Sequence, residues 1–281
     1  MRGITKIGFL MLLLLLTAKG ATAVTITTTF VGGSAPANTS GSGNLIEIFN
    51  AAARIWEKAY DDSFALHLYF GWDTLDSAGT HAALEQSGPF NRETAGIILF
   101  DNSESISFYL DPTPSETDEY QRLSQESQEL GAGFINVARL YHSPTGDAAG
   151  HCDLLSVALH EIGHALGMSL ANATFNQESE DGFLQITEQY PFAGTVIPLA
   201  QNNSGFTSHF DSTQISYGSV MSGICGDERR MPSALDILAI AQVAGFQLPN
   251  LNFQPVYEIS DADPLAIKRA VRSSSNGRSE P

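Results

Sequence analysis

Apolar residues recur every three or four positions between residues 44 and 62, which predicts an amphipathic helix there. The apolar positions are Leu45, Ile48, Phe49, Ala52, Ile55, Trp56 and Tyr60. A second helix is predicted at 232–246, because Pro232 and Ser233 are typical of helix starts and Gly245 of a helix end.

Runs of alternating or β-forming residues predict five strands, at 24–33, 64–72, 95–101, 105–111 and 131–143. The polar residues 112–129 are interpreted as a loop with a short helix. Residues 169–207 are interpreted as a long irregular segment. The chain is therefore expected to mix helices and strands.

A third helix is predicted around the stretch ALHEIGHALGMSL, residues 158–170. It is expected to begin at Asp153, a favoured N-cap residue. Its surface is apolar nearly all the way round, so the helix should be buried. His160, Glu161 and His164 are the exceptions, and burying them without partners would be costly.

A metal ion offers these three side chains the missing partner. His160 and His164 are four residues apart, so they lie one turn apart on one helix face and can point two nitrogens at a single zinc ion. Glu161 is rotated by about 100° from His160, where it can accept a proton from a zinc-bound water. The alternative is a buried helix whose two histidines have hydrogen-bond partners of their own.

The segment HEIGHALGM, residues 160–168, resembles the start of the metzincin zinc-protease motif H-E-x-x-H-x-x-G-x-x-H. Gly167 takes the place of the motif's glycine. The motif's third histidine falls on Leu170, which cannot bind zinc. Either the third ligand comes from further along the chain, or the site is incomplete.

His209 is the first candidate for that ligand, because it is the only histidine after His164. The other candidates are carboxylates in the segment between the two, since a site of two histidines and one glutamate is chemically sound. These are Glu178, Glu180, Asp181 and Glu188.

Further likeness follows His209. The turn containing Met221 resembles the methionine turn beneath the metal in metzincins, and a helix with the sequence LDI comes after it, as in bacterial exported metzincin-like proteases. The likeness covers roughly residues 64–246. It implies an α+β zincin catalytic domain, with a twisted mixed sheet, an active-site helix and a C-terminal helix. It also implies that the strand at 131–143 forms the edge of the cleft.

Two residues near this turn have open roles. Some metzincins carry a tyrosine two residues after the methionine, as an extra ligand or an oxyanion donor. This chain has Ser222 and Gly223 in that region, and Tyr217, which lies upstream, is the candidate for that role. Asp236 either interacts with the dipole of the last helix or links that helix to the site.

The ends of the chain suggest export. Residues 1–23 combine positive charges, a short apolar run and small residues, as a signal peptide does. Residues 24–250 are expected to form the catalytic domain, and 251–281 a disordered tail. No stable membrane anchor is expected, because the apolar run is shorter than the roughly 20 residues of a spanning helix.

The net charge bears on the binding partners of the protein, and its two cysteines bear on a disulfide. A net charge of −17 argues against binding nucleic acid; it is compatible with calcium binding but gives no evidence for it. Cys152 and Cys225 flank the segments expected to carry the chemistry, and in an exported protein they can form a disulfide.

These observations predict a secreted or periplasmic zinc endopeptidase that acts on proteins or peptides. The expected ligands are His160, His164 and His209, and Glu161 is the expected base. The rivals are a zinc-stabilised binding module without catalysis and a zinc hydrolase of non-peptide amides. The sequence does not indicate an oligomeric state.

Overall fold

The computed structural model of the protein describes residues 23–247 except residues 204, 216 and 224. The predicted tail and, apart from Ala23, the predicted signal peptide lie outside the described residues. In the described part of the chain, no helix is both long and apolar enough to cross a membrane.

The described residues form a mixed α and β structure. Its helices are α1 (Leu45–Glu57), α2 (Leu154–Ala165), α3 (Ala173–Glu178) and α4 (Ala234–Ala244). Its strands are β1 (Val24–Gly32), β2 (Phe64–Asp73), β3 (Gly79–Ser87), β4 (Arg92–Asp101), β5 (Phe108–Tyr109), β6 (Tyr120–Glu129), β7 (Phe134–Pro144), β8 (Cys152–Asp153), β9 (Phe183–Gln185), β10 (Val196–Asn202), β11 (Gly205–Phe210) and β12 (Arg229–Arg230).

The largest sheet has the strand order β1-β2-β4-β3, in which β3 alone runs antiparallel. Helix α1 packs on this sheet through Phe49, whose ring stacks on Phe70 with centroids 4.1 Å apart. On its other side, Trp56 Nε1 donates to the carbonyl of Leu159 in α2 at 2.9 Å. Helix α1 therefore connects the sheet to α2, the helix that carries His160 and His164.

Strand β3, which sequence analysis did not predict, borders the cleft. It lies at the edge of its sheet, and a Cβ at its first residue, Gly79, would be only 2.9 Å from Glu161 Oε1. The expectation that residues 131–143 form the cleft edge is wrong. None of these residues lines the cleft. The segment contains most of β7, which pairs with β6 along its length and with β12 only at Leu140 and Tyr141.

Three other expectations about the elements need correction. Residues 112–129 contain strand β6, not a short helix; most of its side chains are polar because the strand is largely exposed. Of the strand predicted at 105–111, only Phe108–Tyr109 is extended. The segment 169–207 is not irregular, since it contains α3, β9, β10 and the start of β11.

The start of α2 is fixed by covalent and ionic contacts. The predicted disulfide between Cys152 and Cys225 is confirmed. Asp153 is the N-cap, as predicted, and accepts from the Ser156 backbone N–H at 3.0 Å. Its carboxylate also binds Arg229, whose Nη2 lies 2.9 Å from Asp153 Oδ1 and 2.5 Å from Asp111 Oδ2.

Candidate metal centre

A cleft of about 740 Å³ lies between β3 and α2. Gly79 and His81 of β3 line one side, and His160, Glu161 and His164 of α2 line the other. His209, on β11, also lines it. The polar side chains that the sequence singled out on α2 therefore face an open cleft.

Three imidazole nitrogens converge at this cleft. The Nε2 atoms of His160 and His164 are 3.0 Å apart, and His209 Nε2 lies 3.1 Å from the first and 3.2 Å from the second. A metal ion can be held where at least three histidine, cysteine or acidic side chains bring their ligand atoms close together. Among the described residues, these three histidines are the only such group.

Backbone carbonyls decide which nitrogens carry protons. His160 Nδ1 donates to the carbonyl of Val220 at 2.8 Å, and His164 Nδ1 donates to the carbonyl of Met168. A neutral imidazole has one N–H, so Nε2 of both rings is left with a lone pair. Two such nitrogens 3.0 Å apart cannot form a hydrogen bond with each other, and their lone pairs repel unless a cation lies between them.

Burial also keeps the rings neutral. It lowers the pKa of His160 to about 3, with the nearby His209 and Arg230 adding to the effect. Burial lowers the pKa of His164 well below its ordinary value, and it also lowers the pKa of His209. Neutral imidazole is the form of histidine that binds metals.

The triangle of nitrogens fits a tetrahedral zinc ion. With Zn–N bonds of 2.0–2.1 Å, tetrahedral geometry separates two ligand nitrogens by about 3.3–3.4 Å. The observed separations of 3.0–3.2 Å are slightly shorter. Two of the three rings also donate their outer N–H to a backbone carbonyl, as zinc-binding histidines commonly do.

The turn predicted to contain Met221 supports His160. Residues Val220–Ser222 form a 3₁₀ helix, and the Val220 carbonyl at its start is the one that His160 binds. Met221 is fully buried, and its Sδ lies so close to Gly163 of α2 that a Cβ there would overlap it. The methionine therefore packs directly against the helix that carries both histidines.

Asp236 holds that turn in place. Its buried carboxylate accepts from Ser219 Oγ and from the backbone N–H groups of Val220 and Met221, at 3.4 and 2.9 Å. It also accepts from the N–H and Oγ of Ser233, which completes a capping box on α4. Asp236 therefore has both roles that the sequence left open: it interacts with the N-terminal end of α4, and it links that helix to the site.

Glu161 is buried, with 5% of its surface exposed, and lines the cleft. Burial raises the pKa of its carboxyl group to about 8. A cation at the three histidines would act in the opposite direction and favour the carboxylate. The side chain is therefore placed to exchange a proton with a group held in the cleft.

Sequence analysis missed a buried pair beside this cluster. His81 Nε2 lies 2.9 Å from Glu93 Oε2, both side chains are almost fully buried, and the His81 ring packs 6.4 Å from that of His164. Little in the sequence indicates this pair, because β3 is mostly polar and only its pairing with β4 brings His81 next to Glu93.

The other candidates lie elsewhere. None of the four acidic candidates for third ligand lines the cleft, and Glu178 instead accepts from Gln242 at 3.3 Å. Leu170, which stands where the metzincin motif has its third histidine, does line the cleft, with 55% of its surface exposed. Tyr217 does not line the cleft, and the centroid of its ring lies 5.5 Å from the Arg230 guanidinium.

No protein-family model matches this chain, and no curated protein matches it significantly.

Proposed function

We propose that the protein is an exported, metzincin-like zinc endopeptidase. The observation that carries this proposal is the triangle of Nε2 atoms, two of which are fixed as lone-pair donors by their carbonyl partners. The zinc ligands are His160, His164 and His209. The disulfide is compatible with an oxidising compartment outside the cytosol.

The number of ligands favours a catalytic site over a structural one. Structural zinc sites are closed by four protein ligands, whereas catalytic sites have three and leave a position open. Three histidines at the wall of an open cleft match the second type. A binding module without activity would also have no need for Glu161 beside them.

Zinc at this site would act as a Lewis acid and would acidify a bound water. Glu161 is the general base: one of its carboxylate oxygens accepts the proton as the water attacks the peptide carbonyl. The same oxygen then delivers this proton to the leaving amine nitrogen. Its burial raises the proton affinity of the carboxylate and so opposes the lowering by a nearby cation, which favours the first transfer.

Strand β3 is the best-placed element to position a peptide. It pairs with β4 on one side and borders the cleft on the other. An extended peptide can add to such an edge through backbone hydrogen bonds. This would place its carbonyl groups next to Glu161, since β3 begins against that side chain.

Replacing Glu161 tests the proposal. We expect Glu161→Gln to bind one equivalent of zinc, as measured by elemental analysis, and to lose nearly all hydrolysis of a denatured protein substrate. The matched control is Glu47→Gln, which changes an exposed glutamate on α1. Full activity in Glu161→Gln, or a metal-free wild-type protein that does not take up zinc, would contradict the proposal.

A further inference from the structure

Arg230 is a buried cation in the wall of the cleft. Only 8% of its surface is exposed, and it lines the same cleft as the three histidines. Its Nη1 donates to the carbonyl of Gly223, and its Nη2 makes no hydrogen bond within the described residues. Nε also has no partner but is inaccessible, so the N–H groups of Nη2 are the donors left for a ligand.

Its charge is not balanced by an ion pair. Among the described residues, no carboxylate oxygen comes within 4.0 Å of Arg230, whereas the adjacent Arg229 contacts two aspartates. Glu228 and Asp236 act on it only from a longer distance, and the Asp236 oxygens are already occupied by five donors. Burial accordingly lowers the pKa of Arg230 below its ordinary value.

The arginine is close to the histidine cluster. Its backbone N–H donates to Ser156 Oγ at 2.8 Å. Ser156 precedes His160 by one turn of α2, which is about 6 Å along the helix axis. A side chain next to the scissile bond is long enough to span that distance.

We propose that Arg230 binds a carboxylate of the substrate next to the scissile peptide bond. The source is either the side chain of an aspartate or glutamate, or the C-terminal carboxylate of the chain. This inference rests on the proposed function and specifies its substrate class. A carboxylate suits the site because it can accept from two guanidinium N–H groups at once.

The rest of the cleft confines this preference to one end. Arg230 is the only lysine or arginine among the described residues that line it. Asp76 and Glu161 also line it, and Glu161 lies against Gly79 at the start of β3. An acidic group is therefore attracted at the Arg230 end and repelled near Glu161.

Quenched fluorescent peptides with a single Glu, Gln or Lys beside the cleaved bond test the preference. With amidated C-termini, a side-chain source predicts a kcat/KM for the Glu peptide about 10- to 100-fold above that for Gln, since a charge-assisted hydrogen bond is stronger than one to a neutral amide oxygen. Arg230→Gln should reduce the ratio to within about 3-fold, and the control Arg54→Gln, on the exposed face of α1, should preserve it. Cleavage that is equal for the Glu and Gln peptides and is also unchanged between free and amidated C-termini would overturn the inference and leave the proposed function intact.

The same peptides with a free C-terminus separate the two sources. A gain restricted to free-acid peptides cleaved one residue from their end would assign the C-terminal carboxylate. A gain in amidated peptides would assign the side chain.

A binding measurement keeps the inference testable if no peptide is cleaved. The Glu161→Gln variant is titrated with labelled Glu and Gln peptides, and binding is followed by fluorescence anisotropy. Tighter binding of the Glu peptide that Arg230→Gln abolishes would support carboxylate binding even where the proposed hydrolysis fails. Binding that is equal for the two peptides and unchanged by amidation of their C-termini would overturn it.

Discussion

At the scale of single residues, the histidine cluster depends on a carboxylate that never touches it. Asp236 binds the backbone of the turn at residues 220–222, and this turn presents the carbonyl that orients His160. In Asp236→Asn an N–H₂ group replaces one acceptor and faces donors such as Ser219 Oγ and the Met221 N–H. We expect zinc affinity to fall about 10- to 100-fold, as for other losses of an outer-shell partner.

Competition with a zinc chelator of known affinity measures this change. The matched control is Asp147→Asn, an exposed aspartate in the loop before α2, which should bind zinc like the wild type. If Asp236→Asn also bound zinc like the wild type, the turn would not depend on this carboxylate.

Residue chemistry was predictable where it was local. The spacing of His160 and His164 and the helix around them follow from a short stretch, and the N-cap at Asp153 lies where the sequence predicted it. The links from Asp236 to the turn and from His81 to Glu93 were not predictable. They join residues that only the folded chain brings together, and an aspartate at a helix start looks the same whether or not its carboxylate is used elsewhere.

At the scale of elements, the two adjacent arginines of β12 give opposite expectations for stability. Arg229→Gln leaves the buried carboxylates of Asp111 and Asp153 without their cation, so we expect the free energy of unfolding to fall by about 3–5 kcal/mol. Arg230→Gln removes a buried charge that has no ion pair, so we expect a change of about 1 kcal/mol or less.

Denaturant titrations of the two variants measure both effects, and each serves as the control for the other. Similar losses in both variants would show that the ion pairs of Arg229 do not anchor the start of α2. A severe loss in Arg230→Gln alone would reverse the assignment of structural and binding roles.

Elements were predicted best where one face is buried. Helix α1 and strand β2 each show a clear period of apolar residues. Strand β2 lies within one residue of its predicted bounds, whereas α1 begins as predicted but ends at Glu57 instead of at residue 62. Strands β3 and β6 are polar along most of their length because they lie at sheet edges. These two strands are defined by their pairing with β4 and β7. The pattern of residues within one segment does not show which other segment it pairs with.

At the scale of the whole molecule, the cluster joins distant parts of the chain. His160 and His164 belong to α2, whereas His209 lies on β11, 45 residues after His164. The unfolded chain does not hold these three nitrogens together, so zinc that binds them stabilises the folded state by linkage. Free zinc at 100 times its dissociation constant would add about 2.7 kcal/mol. For a domain of this size we expect Tm to rise by about 5–10 °C.

Scanning calorimetry of chelator-treated protein, with and without added zinc, measures that rise, and histidine variants show where it originates. His209→Ala should abolish most of it, because two nitrogens on one helix neither close the site nor connect it to β11. His142→Ala, which removes a ring that is hydrogen-bonded to Ser124 and does not line the cleft, should keep the full rise. An undiminished rise in His209→Ala would place the ion elsewhere and reopen the case for the acidic residues between α2 and β10.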